Sequence, residues 1–103
     1  NSLSHITGGG LTENLPRSIP DNLCVEIDTD SWEMPNIFKW LKENGNISDD
    51  DMYRIFNCGI GMVLFVDEDE ELNISSRIKE LKMNSFVIGK VKNKKEESSV
   101  IFV

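Results

Sequence analysis

"GIGMVLFV", residues 59–66, contains no charged or polar side chain in eight positions. A run this apolar and this short suits a strand buried on both faces, because a strand with one wet face alternates apolar and polar residues. Its two glycines, Gly59 and Gly61, would let a neighbouring segment approach closely. We therefore expect residues 59–66 to form a central strand inside a mixed β-sheet covered by helices, an α+β fold.

Downstream, Asp67, Glu68, Asp69, Glu70 and Glu71 are five consecutive acids. Successive positions on a helix point in different directions, so this run does not converge on a metal ion, and we expect no metal-ligand set. The acids instead suit the start of a helix whose later part carries Arg77, Lys79 and Lys82, an arrangement that complements the helix dipole. Leu72, Ile78 and Leu81 are expected to face the core. Residues 86–92 and 98–103 then read as two strands joined by the polar loop 93–97, a hairpin with Lys90, Lys92, Lys94 and Lys95 near its solvated tip.

Upstream, Ser48 and Asp51 have capping-box spacing, and three acids at 49–51 favour a helix start there, with the helix running to Phe56. Residues 35–44 place Ile37, Phe38, Trp40 and Leu41 on one helical face, with Pro35 near the beginning and Gly45 just past the end. Trp32, Trp40, Phe38, Met52 and Met62 are expected in the packing rather than against a ligand. Leu23, Val25 and Ile27 alternate with Cys24, Glu26 and Asp28, the period of a half-buried strand.

The 103 residues suit a single domain, and the balance of 39% hydrophobic and 28% charged residues is that of a folded chain. A formal charge of −7 repels nucleic acid, and the late lysines lack the interleaved aromatics of a nucleic-acid surface. No apolar stretch approaches the ~20 residues needed to span a bilayer, and no secretory pattern opens the chain; a cytoplasmic location is expected. In that setting Cys24 and Cys58 should be free thiols. Cys58 should be buried and inert, since it follows a helix C-terminus, which does not favour thiolate.

"HITGGGLTENLPR", residues 5–17, asks a separate question. Three successive glycines serve either a turn or a backbone that must come close to something. The loop matches neither the P-loop nor the dinucleotide fingerprint. Its amides could instead form a nest for an anion such as phosphate without any cationic side chain. Only a short helical turn can follow, because Pro16 lacks the N–H that a longer helix needs. His5, the single histidine, could move a proton beside this loop or simply hydrogen-bond. Both readings of the loop stay open on these residues.

"SHITGGGLTENLPR", "NIFKWLKENGNIS" and "MYRIFNCGIGMVLFV", in this order and at these separations, resemble the C-terminal part of aminoimidazole ribonucleotide synthetases, also called phosphoribosylformylglycinamidine cyclo-ligases. The resemblance spans nearly the whole chain, and weakens after Asp67. It implies an enzyme of purine biosynthesis that spends ATP, with magnesium, to close the imidazole ring of formylglycinamidine ribonucleotide. Phosphorylating an amide oxygen makes it a leaving group, and a neighbouring nitrogen then attacks the same carbon. It further implies a homodimer and a small-molecule substrate. The ATP-binding domain and the first part of this domain would lie upstream of residues 1–103, so the segment alone should not catalyse; that Asn1 is not a methionine also points to a fragment. By the same resemblance Thr7, Gly8, Gly9, Gly10 and Gly59 would bind substrate, with the glycine amides on its phosphate, and His5 and Asn57 would orient or assist the reacting group. A non-catalytic remnant or interaction domain, or another ATP-dependent enzyme of the same superfamily, would share these features and is the alternative.

Overall fold

The computed structural model describes residues 2–95 and 97–103. Asn1 and Glu96, the latter expected in the polar loop after the lysines, lie outside the described residues. The chain is α+β, with two small sheets rather than one. In the first, β1 (Ser2–His5) pairs antiparallel with β3 (Met62–Phe65), Ser2 opposite Phe65 and His5 opposite Met62. In the second, β2 (Leu23–Ile27) lies between β4 (Gly89–Asn93), antiparallel to it, and β5 (Val100–Phe102), parallel to it.

The helices start and stop where local chemistry directs. α1 (Gly10–Asn14) passes at once into a 3-10 turn at Leu15–Ser18, with Pro16 in its first positions. α2 (Asn36–Asn44) begins after Pro35 and ends at Gly45. The Ser48 hydroxyl accepts the Asp51 N–H and caps α3 (Asp49–Ile55), satisfying one of the amides that a helix start leaves without an intrahelical partner. A 3-10 turn at Glu68–Glu70 leads into α4 (Glu71–Glu80).

The core lies where α1, α3, β2 and the inner faces of β1 and β3 meet. Leu11, Leu15, Ile27, Met52 and Cys58 are completely enclosed there. Trp32 packs edge-on against Tyr53, whose ring stacks on Phe102 at 4.4 Å, joining the helical layer to the three-stranded sheet. Both thiols are buried and unbridged.

Four expectations are corrected. Residues 59–66 are not a central strand: only Met62–Phe65 is extended, it has β1 as its one neighbour among the described residues, and Met62 and Leu64 are exposed beside Leu3 on the outer face. An all-apolar run does not by itself report that both faces are covered. The two last strands are not a hairpin, because β2 enters between them and takes hydrogen bonds from both. Lys90 and Lys92 consequently lie along β4 beside Glu26 rather than at a tip, with Lys92 Nζ 2.5 Å from the Glu26 carboxylate. Finally, α2 and α4 bury no residue completely: Ile37, Trp40, Leu72 and Leu81 are exposed, while Phe38 reaches the core against Phe56. The apolar face of α2 is only partly covered: Phe38 and Leu41 are half-buried, while Ile37 and Trp40 beside them are exposed.

Candidate functional site

The two glycine segments flagged in the sequence come together. His5 closes β1, and the next amide, that of Ile6, donates to the Gly61 carbonyl at 2.9 Å, so the 6–10 loop and the 57–61 loop leave the two-stranded sheet side by side. At the other end of the loop, Gly10 is buried against the end of α3. A Cβ there would run into the Tyr53 carbonyl and lie 2.5 Å from that of Phe56. Gly10 thus lets α1 and α3 touch, and its N–H is committed to the Thr7 carbonyl.

A residue that the sequence reading passed over organises this loop. Asn14, only 4% exposed, directs its Nδ2 at three carbonyl oxygens, those of Thr7 (3.2 Å), Gly8 (3.3 Å) and Gly10 (2.7 Å). Its Oδ1 accepts the Thr7 hydroxyl, and its own carbonyl accepts the buried Ser4 hydroxyl. Three acceptors around one nitrogen fix which end of the amide points where. In a trans peptide the carbonyl of one residue and the N–H of the next point in opposite directions. With the Thr7 and Gly8 carbonyls drawn in to Asn14, the N–H groups of Gly8 and Gly9 face away from it, toward the open side of the loop. The signal for Asn14 was its spacing: with Leu11 and Leu15 it occupies the inward face of a helical turn, and a polar residue there requires partners.

The other candidates have more local settings. The Thr7 hydroxyl is engaged inward with Asn14. Gly8 is exposed, with nothing within 4 Å of an added Cβ, whereas Gly9 is left-handed at φ +98° and its α-carbon lies against the Glu13 side chain. Asn57 is half-buried, and its Oδ1 accepts the Gly59 N–H at 2.9 Å, which leaves its Nδ2 as the donor. This turn also holds Cys58 at φ +53° and Gly59 at φ +98°, where a Cβ would strike the Pro35 ring at 2.6 Å. The Cys58 carbonyl is pinned by the Trp32 indole N–H. Burial pushes the Cys58 thiol up to about 11, so it is no nucleophile. His5 is exposed on the outer face of the two-stranded sheet, opposite Met62.

The arrangement can present two backbone donors and an amide, with a carboxylate, Glu13, close by. An open cleft of about 700 Å³ lies elsewhere, between α2, α3 and the end of β5, and none of the candidates lines it. No group of three His, Cys, Asp or Glu side chains among the described residues could hold a metal ion. No helix among them is long and apolar enough to cross a membrane.

The family "AIR synthase related protein, C-terminal domain" matches residues 1–102. A phosphoribosylformylglycinamidine cyclo-ligase of Citrifermentans bemidjiense is 51% identical over 89 residues, covering 86% of this chain and 26% of the relative. That of Ligilactobacillus salivarius is 45% identical over 103 residues, covering 100% of this chain and 30% of the relative. The chain spans less than a third of the length of either relative. With the match running from residue 1 to residue 102, the chain belongs to the AIR synthase related proteins, in their C-terminal domain.

Proposed function

We propose that this chain is the C-terminal portion of the C-terminal domain of a phosphoribosylformylglycinamidine cyclo-ligase, and that its glycine loop holds the phosphate of formylglycinamidine ribonucleotide while ATP drives ring closure. The observation that carries the reading is the outward aim of the Gly8 and Gly9 N–H groups. Two adjacent amides held with their N–H groups turned away from the core give an anion fixed donors with no added cation, which suits a chain of charge −7. Gly10 contributes shape rather than a donor, since its own N–H is taken, and Thr7 supports the loop through Asn14. Asn57 Nδ2 and His5 are the polar groups at the adjoining strand ends, available to orient the reacting amide or a proton.

ATP supplies the phosphoryl group that turns the amide oxygen into a leaving group. The residues described here do not fit magnesium, as no acidic cluster converges, and no step of this reading passes through a metal on this chain. The ATP and magnesium sites belong to the remainder of the enzyme in this proposal, as do its assembly as a cytoplasmic homodimer and its catalytic competence. Holding the substrate still is the chain's share of the work, and positioning of this kind can account for much of a rate enhancement.

Gly8→Val in the complete enzyme tests the phosphate site. Gly8 has open space around it and no left-handed strain, so the substitution obstructs an incoming ligand while leaving the fold intact. The expected result is a Kd for formylglycinamidine ribonucleotide weakened by about tenfold or more, with ATP binding unchanged. Unchanged substrate affinity would reduce the loop to a turn.

A further inference from the structure

We infer that Asn14 is the positioning residue of the phosphate loop: it does not touch the substrate, but its side chain sets the direction of the amides that do. The inference rests on the phosphate-site reading and deepens it. Buried side-chain amides are ordinarily satisfied, and one or two partners would suffice. Asn14 uses both of its ends on one short segment: Nδ2 on the carbonyls of Thr7, Gly8 and Gly10, and Oδ1 on the Thr7 hydroxyl. No other side chain among the described residues donates to those three carbonyls. A glycine loop has little conformational preference of its own, so whatever holds its carbonyls also decides where its N–H groups point.

The alternatives at this position are separable by chemistry. Asparagine offers a donor pair and an acceptor in one plane; aspartate keeps the shape and the acceptor but places an oxygen against three carbonyl oxygens. Asn14→Asp should therefore turn the Thr7 and Gly8 carbonyls away and swing the amides out of alignment. Asn14→Ser retains one hydroxyl donor, enough for one of the three carbonyls, and removes the charge problem. Buried polar residues that serve only the fold would lower stability in both variants without changing how the folded fraction binds phosphate.

The test uses the complete enzyme, with Asn14→Asp, Asn14→Ser and Gly8→Val side by side. Folding is read from thermal unfolding, substrate binding from KM and kcat, and the phosphate site from inhibition by inorganic phosphate. Positioning predicts that both Asn14 variants raise KM for formylglycinamidine ribonucleotide and weaken phosphate inhibition by about tenfold, while KM for ATP holds and kcat changes less than about threefold. Should Asn14→Asp fail to fold, Asn14→Ser carries the same reading. A folded Asn14 variant with unchanged KM, alongside a Gly8→Val enzyme with raised KM, overturns the role of Asn14 and leaves the phosphate site standing. Unchanged KM in all three overturns both.

Discussion

A Cβ added at Gly8 meets nothing within 4 Å, whereas at Gly9 it meets the Glu13 side chain, with Glu13 Cβ at 2.7 Å, in a backbone of φ +98°. Gly9→Ala is consequently expected to destabilise the protein by about 1–2 kcal/mol through left-handed strain alone, to be read from denaturant unfolding of the complete protein. Glu13 also places a carboxylate beside the amides that we propose hold the substrate phosphate. A like charge at about 4 Å opposes binding by roughly 1 kcal/mol even in water, so Glu13→Gln should tighten inorganic phosphate binding about fivefold, and added salt should shrink the gain. Cys58 gives a third outcome at this scale. Its thiol keeps its proton in the folded state between its ordinary value of 9.0 and about 11, so its share of stability is full below pH 9 and declines as pH rises through that window. A thiol reagent at neutral pH should label it only after unfolding. The burial of Cys58 could be anticipated from its place after a helix end, whereas the left-handed bend at Gly59 was masked by reading it into the apolar run; Asn14 was hidden because a single polar letter does not declare which carbonyls surround it.

Among the elements, helix ends were legible and strand partners were not. Pro35, Gly45 and the Ser48–Asp51 pair mark α2 and α3 because capping is decided within four residues. Ser48→Ala should cost about 1 kcal/mol in thermal unfolding, since the Asp51 N–H loses its acceptor. Pairing is decided across the chain, and a lone strand looks the same whether its neighbour comes from the next turn or from far away. The β2–β4 contact nevertheless leaves a pH signature. The hydrogen bond from Lys92, with the charges of Lys92 and Lys90, holds the Glu26 carboxyl below its ordinary value of 4.5 despite some opposing desolvation. The resulting stabilisation is present above about pH 4.5 and is lost as pH falls through the lowered value. Comparing unfolding midpoints of the parent and Glu26→Gln from pH 6 down to pH 3 should show a shallower acid loss in the variant.

At the scale of the whole molecule, β2 is the strand to which the C-terminal half returns. Its partners in β4 and β5 lie between 62 and 75 residues further along the chain, from Ile27 with Gly89 to Val25 with Val100. During synthesis, then, Leu23–Ile27 emerges long before either edge that will complete it, and α2 and α3 can form while it waits. Pairings this remote carry a loop-closure cost that must be met before any hydrogen bond is gained, which slows folding relative to local helix formation. Val100–Phe102, which follows every other described strand, fastens the parallel edge and brings Phe102 onto Tyr53, so the aromatic contact between helices and sheet can form only once residue 102 has been made.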